Sequence, residues 1–305
     1  MRGPQPGIFG EGTQAHVHLE WNVRGGAADD AIRLALRLAL GLSEETVTVG
    51  GANVVIGFGP TLWSRLSTVT PPELGPFTEL GSGARVAPST QHDIWLWLHG
   101  SEFDVLFDNA RAAALALAPV ADLVLEQHGS QYMDSRDITG FIDGTENPNS
   151  WDAYEVALLP DGVAGAGGSY AMTQRWLHDL DRFHALDVGD QQNVFGRTKP
   201  DSIELDDDAK PPTAHIARVV IEEDGEELEI YRRSVPILGV AEHGLHFVAF
   251  SAERRRFDLM LARMFGTDGD GLHDHLTDFS RPVTGSYWFV PALDDLEDAL
   301  GPLPE

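Results

Sequence analysis

Three side chains in this sequence are of the types from which acid–base and metal chemistry is built: Asp143, His215 and Arg232. Asp143 lies in "GFIDGTENP" (140–148), where apolar Phe141 and Ile142 run straight into the acid and Asp143-Gly144 marks a turn. Three readings fit that stretch. It can be an Asx turn, with the carboxylate bonded to its own backbone. It can be a calcium loop through Asp143, Glu146 and Asn147, although the alternating acid ladder of such loops is missing. It can also be a buried functional acid. His215 opens the segment "HIARVVIEEDGEELEIYRRS" (215–234) and Arg232 lies near its end. The Asp224-Gly225 pair predicts a hairpin with a type I′ turn, which brings both residues to one open end. With Asp143 they could line a single cavity. An imidazole ligates a transition metal or a haem iron. A guanidinium stays protonated and stabilises developing negative charge. A carboxylate moves a proton.

The flanking pattern supplies elements to hold these groups. "AHVHLEWNV" (15–23) alternates and predicts a half-buried strand, with Val17, Leu19, Trp21 and Val23 inward. His16, His18, Glu20 and Asn22 are then expected to face solvent. The two histidines could also chelate a metal. Asp29 is read as the cap of an amphipathic helix, "DAIRLALRLAL", that stops at Gly41. Strands follow at 53–59, 92–100 and 121–129, with a helix at 101–119 for which Ser101 is a candidate cap. Together these give β-α-β-β-α-β. The second half reads as extended at 169–180, helical at 187–196, the hairpin, a strand at 244–251, a helix at 255–266 and a last strand at 285–291. In both "IWLWLHGSEFDVLFDNARA" and "HFVAFSAERRRFDLMLARM" an aromatic strand enters a helix near Phe-Asp. The expected fold is α+β, with two ferredoxin-like halves. The first half takes 1–139 and the second 140–305, with 140–168 as a connecting segment rich in Gly, Pro and Asn.

Composition narrows the functions. The net charge of -27 argues against nucleic acid and anionic membranes as partners. The acids cluster in "ELDDD", "EEDGEELE" and "DDLED", which read as solvated loops or as a field steering cationic substrates. Cysteine is absent, so disulfides and thiolate chemistry are excluded. No apolar run is long enough to span a membrane, and no secretory leader is visible. A cytoplasmic location is expected.

The Gly-x-x-Asp-Gly-Thr-Glu-Asn-Pro stretch resembles the dye-decolorizing peroxidase family of haem enzymes. "PGIF" (6–9), "VFGRTK" (194–199), "AHIARV" (214–219) and "YRRSVP" (231–236) match that family in order and spacing. So do "GLHFVAFSA" (244–252) and "DFSRPVTGSYWFVP" (278–291). The resemblance covers nearly the whole chain and implies a pair of ferredoxin-like halves, with haem bound mainly by the C-terminal half.

Carried over residue by residue, the resemblance implies that His215 is the proximal ligand of haem b (iron protoporphyrin IX). Asp143 and Arg232 become the distal pair. Arg197 matches an arginine near a haem propionate, and Asp274 would accept the ligand's other N–H, with Asp278 close by as a rival. Phe247 is a candidate pocket wall or a core residue. Gly144 and Thr145 belong to the distal loop. Ser234 stands where many relatives have Asn. The implied activity uses hydrogen peroxide to oxidise dyes, phenols or other bulky aromatic reductants through a ferryl intermediate. A haem-processing enzyme (deferrochelatase or porphyrinogen oxidase) and a haem carrier or sensor are the alternatives. Trp95, Trp97 and Trp288 read as sheet core, with an electron relay as the second reading. Exposed sheet edges suggest a homodimer or higher homo-oligomer.

Overall fold

The computed structural model describes residues 3–41, 52–149 and 151–302. The first half runs β1 (Ala15–Val23), α1 (Asp29–Leu40), β2 (Asn53–Phe58), α2 (Pro60–Leu66), β3 (Leu80–Ser82), β4 (Arg85–Ala87), β5 (Ile94–Gly100), α3 (Phe103–Leu117) and β6 (Ala121–Ser130). The second half opens with α4 (Asp152–Ala157), β7 (Ser169–His178), α5 (Leu180–His184), α6 (Val188–Phe195) and α7 (His215–Val219). It continues through β8 (Glu222–Glu223), β9 (Glu226–Glu227), β10 (Tyr231–Arg232), β11 (Val235–Leu238), β12 (His243–Ser251) and α8 (Arg255–Met264). It ends with β13 (Ser280–Pro282), β14 (Ser286–Val290) and α9 (Leu293–Leu300).

One antiparallel sheet organises these elements, in the order β10-β12-β7-β14-β2-β5-β1-β6, with β11 also on β12 and β13 also on β7. In each half the spatial order is second, third, first, fourth strand, the ferredoxin-like arrangement. The fold is therefore α+β and its strand order is repeated. The halves join where β14 meets β2 at Phe289 and Phe58. At the far ends β6 and β11 lie against one another: a Cβ on Gly129 would come within 2.4 Å of Val235. The sheet thus curls round until the end of β6 meets β11, although Leu123 and Val124 of β6 stay exposed.

Closure corrects the expectation for β1. His16, His18 and Glu20 are buried, at 6%, 0% and 1% exposure, not solvated. Alternation still holds, but both faces are covered. Val17, Leu19 and Trp21 face the outer layer, where they share a core with Ile32 and Leu36 of α1 and Leu106 of α3. The opposite face points into the closed sheet beside Trp95, Trp97 and Trp288. Gly57 belongs to this inner face, and a Cβ there would lie 2.9 Å from both Trp95 and Trp288.

The helix ends also differ in detail. Ala28 caps α1 and Asp29 is its first residue, while Gly41 ends it in the left-handed conformation, φ 57°. Ser101 does not cap α3, which begins after Glu102 without a side-chain cap. The turn at Asp224 and Gly225 has both φ positive, at 55° and 86°, as a type I′ turn requires. Its ladder, however, pairs only Glu222 with Glu227 and Glu223 with Glu226. His215 is not on a hairpin strand; it begins helix α7, because Ile216, Val219 and Val220 recur at helical spacing and turn one face to a cavity.

Burial pushes the Glu20 carboxyl up to about 8, against the Thr173 hydroxyl and Arg175. A carboxyl raised in the fold keeps its proton there. Its contribution to stability is complete below its ordinary value and is lost as pH rises through the folded value. Denaturant unfolding should show a midpoint that falls between pH 4.5 and about 8. The slope for one proton is at most about 1.4 kcal/mol per pH unit. Glu20→Gln should flatten that component; equal slopes in both proteins would show that Glu20 is ionised in the fold.

Candidate active site

In the first half, α1 and α3 pack directly on the outer face of the sheet. The corresponding crossover of the second half, from β7 to β10, is longer and built from α5, α6 and α7. Here the helices stand off the sheet and enclose a cavity. Its floor is the outer face of β7 and β12, through Met172, Gln174, Trp176, Leu245 and Phe247. Its cover includes Ile216 and Val219 of α7 and Met260, Leu261 and Met264 of α8. The walls are apolar, and a few polar groups converge on them, as a cofactor site requires.

His215 enters this cavity from the first turn of α7. Its Nδ1 lies 2.5 Å from Asp274 Oδ2. Asp274 is fully buried, and its other oxygen accepts the Leu276 N–H at 2.9 Å. The carboxylate therefore takes the Nδ1–H, which leaves Nε2 as the lone-pair nitrogen, with no hydrogen-bond partner among the described residues. Asp278 is engaged elsewhere, 2.5 Å from Arg85. Of the two candidate aspartates, only Asp274 bonds to His215.

Asp143 reaches the cavity from a tight loop. Asp137 N–H donates to Phe141 O at 2.9 Å, Gly140 N–H to Asp137 O at 2.8 Å, and Asp143 N–H to Ser135 O at 3.0 Å. Phe141 anchors the loop in a small core with Phe183, Val194 and Phe279. Gly140 and Gly144 take positive φ, 91° and 76°. At Gly144 no described atom lies within 4 Å of a notional Cβ, so the turn and not crowding requires glycine there. Burial raises the Asp143 carboxyl above its ordinary value, and the Arg232 guanidinium is the main opposing influence. The Gly144 N–H and His215 oppose it more weakly.

Arg232 is held through its backbone. Asn147 accepts the Arg232 N–H and donates to the Arg232 carbonyl, each at 2.8 Å. Arg232 Nε is buried and has no partner among the described residues. Arg197 lines the same cavity, bonded to Glu146 at 2.9 Å and to the Ser202 carbonyl at 2.8 Å. Glu146 and Asn147 are thus committed to arginines. No group of three or more acidic or histidine side chains able to hold a metal ion occurs among the described residues, so the calcium reading of the loop is not supported.

Gly144, Thr145 and Phe247 line the cavity with His215, Asp143, Arg232 and Arg197. Ser234 does not. It lines an adjoining polar pocket with Glu11, Thr13 and His16. Asp143, Gly144 and Arg232 form the wall shared by the two. Ser234 Oγ accepts the Val248 N–H at 3.4 Å, a register that sequence order alone does not reveal.

Three features of the site escaped sequence reading. Asn147 was visible in the motif, but its bonds to a strand 85 residues away were not. Gln174 is buried on the cavity floor with its Nε2 unpartnered among the described residues. A polar residue inside an apolar strand was the available signal. Asp137, His178 and Ser280 also line the cavity, linked by His178 Nε2 to Asp137 Oδ2 at 3.1 Å and His178 Nδ1 to Ser280 Oγ at 2.7 Å.

Comparison with known proteins agrees with this geometry. Residues 5–131 match the model for "Dyp-type peroxidase, N-terminal" and residues 134–295 the model for "Dyp-type peroxidase, C-terminal". A dye-decolorizing peroxidase of Rhodococcus erythropolis is 37% identical over 97% of this chain and 88% of its own. Among solved structures, a putative Dyp-type peroxidase from Shewanella oneidensis superposes with a TM-score of 0.91 at 34% identity, covering 97% of this chain and 98% of that one. A variant of DypB from Rhodococcus jostii RHA1, solved in complex with heme, superposes with a TM-score of 0.86 at 35% identity, covering 93% and 95%. The chain belongs to the Dyp-type peroxidase family.

Because Asn147 fixes Arg232 by two backbone bonds, Asn147→Ala should leave the fold intact and loosen the arginine. The expected cost is about 1–3 kcal/mol for the groups left unpaired, measured by denaturant unfolding. An unchanged midpoint would show that water replaces the amide.

Proposed function

We propose that this chain is a haem peroxidase, which binds haem b in the apolar cavity and uses hydrogen peroxide to oxidise dyes, phenols or other bulky aromatic reductants. The observation that carries the reading is the meeting of three groups on one cavity. They are an imidazole fixed by Asp274, a carboxyl raised by burial, and an arginine; His215 Nε2 and Arg232 Nε have no partner among the described residues. The fit to haem is good: a largely apolar floor and cover, an imidazole whose Nδ1 is engaged by Asp274, and arginines at the margin for carboxylates. When bound, haem supplies a redox-active iron that passes electrons from the reductant to peroxide.

His215 Nε2 would hold the iron. Asp274 keeps the imidazole in the required tautomer and makes it more electron-donating. Asp143 takes the proton from one peroxide oxygen and returns it to the other, so that the second oxygen leaves as water. Arg232 stabilises the negative charge that develops as the O–O bond breaks. Arg197 would pair with a cofactor carboxylate in exchange for Glu146 or Glu204, which now lie at 2.9 and 3.6 Å. Gly144 and Thr145 carry the loop along the cavity edge, and Phe247 forms part of its floor. Ser234 serves the adjoining polar pocket, where its hydroxyl can hold a water behind Asp143 and Arg232.

The same reading divides the chain into halves at 139 and 140, with 140–168 as the connection that delivers Asp143. Strand order supports it. It places the protein in the cytoplasm, consistent with the absence of cysteine. No helix among the described residues is long and apolar enough to cross a membrane, and the acidic charge disfavours nucleic acid as a partner. It also includes a homo-oligomer. The exposed apolar side chains Phe103, Phe107 and Leu115 of α3 offer one surface for that contact.

The decisive experiment is the absorption spectrum of haem-loaded protein before and after one equivalent of peroxide. A rapid, reductant-reversible change supports the reading. Slow bleaching alone would point to haem carriage or processing. His215→Ala should lose the Soret band of the loaded protein. Asp143→Asn should slow the peroxide step about 10²- to 10⁴-fold, the usual contribution of a positioned acid–base group. Below its raised pKa Asp143 is protonated and cannot accept a proton. The peroxide step should therefore accelerate with rising pH through a midpoint above the ordinary value of an aspartate. A stopped-flow profile with the same midpoint in Asp143→Asn would assign the proton transfer to another group.

A further inference from the structure

Inside the closed sheet three tryptophans stand in a row that the reaction above does not use. Trp95, Trp97 and Trp288 are fully buried. Their ring centroids are 6.2 Å apart for Trp95 and Trp97, and 6.1 Å apart for Trp95 and Trp288. A buried indole N–H needs an acceptor. At two other sites an ordinary oxygen serves: Trp63 donates to Val69 O at 2.8 Å and Trp176 to Gln174 Oε1 at 3.2 Å. Inside the sheet two of the three indoles use an imidazole nitrogen instead. Trp97 Nε1 donates to His16 Nδ1 at 3.1 Å, and Trp95 Nε1 to His18 Nδ1 at 3.4 Å. Trp288 Nε1 donates to Thr173 Oγ1 at 2.8 Å.

We propose that Trp97 and His16 form a proton-coupled electron-donor site. The Trp97 indole gives up one electron to the reduction of peroxide while its N–H proton passes to His16 Nδ1, leaving a neutral tryptophanyl radical. Trp95 and Trp288 relay the electron through the stack and hold no lasting oxidation. The inference rests on the peroxidase reading. Peroxide needs two electrons and two protons to become two waters: Trp97 supplies one pair and an outside reductant, such as a phenol, supplies the other. An outside reductant later returns the electron and solvent the proton.

The geometry selects Trp97 over its neighbours. The Arg233 guanidinium lies 5.2 Å from the Trp97 ring centroid, and an arginine is always charged. A radical cation beside it is disfavoured, so the electron leaves only if the proton leaves too. His16 can pass that proton on. Its Nε2 lies 3.4 Å from both the hydroxyl and the carbonyl of Thr13, and it lines the polar pocket shared with Asp143 and Arg232. His18 cannot, because its Nε2 is buried and has no partner among the described residues. Oxidation begun at Trp95 or Trp288 therefore settles on Trp97. Burial and Arg233 hold His16 at about 4, so above that pH the imidazole is neutral with a lone pair at Nδ1.

The test mixes haem-loaded protein with one equivalent of peroxide, without reductant, and freezes it for electron paramagnetic resonance. The wild type should show a neutral tryptophanyl radical, and Trp97→Phe should lose it. His16→Gln keeps an acceptor for the indole hydrogen bond but cannot take the proton. It should lose the neutral-radical signal while still oxidising a phenol with peroxide. The same neutral radical in all three proteins would overturn the proposal, as would its absence from a wild type that turns over phenol normally. If peroxide does not react at all, the peroxidase reading fails instead. Azide radicals from pulse radiolysis then oxidise the same haem-loaded protein, and the comparison of wild type with His16→Gln decides the pair on the same criteria.

Discussion

The closure of one antiparallel sheet on itself is the constraint on which the rest of this structure depends. Each ferredoxin-like half alone would leave one sheet face and two strand edges to solvent. Joining β14 to β2 removes one edge of each half, and laying the end of β6 against β11 creates an inside. While short α4 joins the inner core through Ala153, Val156 and Ala157, the paired helices of each half then pack on the outer face. In the first half they do so tightly, and the result is core. In the second half the long crossover between β7 and β10 holds them away from the sheet, and the result is a cavity. The duplicated topology thus gives one half to stability and the other to a site.

Within that cavity a few polar groups work because their surroundings are apolar. Burial raises Asp143 above its ordinary value and Arg232 opposes the rise. Both side chains are aimed by backbone: Asp143 by a loop anchored through Phe141, Arg232 by the two bonds to Asn147. His215 is oriented by a buried carboxylate with a second hydrogen bond of its own. Such indirect supports hold these candidate groups in place before any ligand arrives.

The inside of the sheet follows a different rule. Its backbone groups are consumed by the ladders, so buried indole N–H groups must find side-chain acceptors. That requirement explains why polar residues alternate along β1 at all. It does not explain why imidazoles are used where a hydroxyl suffices for Trp288. The stacked rings, the neutral histidines and the nearby Arg233 give this interior a chemistry that a purely packed core lacks.

The sequence by itself determined the residue types and their local settings. "GFIDGTENP" requires a turn with glycines at positive φ, Asp224-Gly225 requires a type I′ turn, and the repeated strand–helix pattern requires two like halves. These depend on neighbours along the chain, where sterics and periodicity act. Tertiary structure decided what depends on distant partners. His16, His18 and Glu20 have the alternation of a solvated strand face, and only sheet closure buries them. His215 was legible as a candidate ligand, but its helix follows from an apolar face that needs a cavity to meet. Asp274 and Asp278 are four residues apart and chemically alike; the position of Arg85 near Asp278 and of His215 near Asp274 separates them. Ser234 shares a short stretch with Arg232, yet the two sit in different surroundings because the strand places them there. Burial and hydrogen bonding across the fold set these outcomes, and no local pattern encodes the distance between residues far apart in the chain.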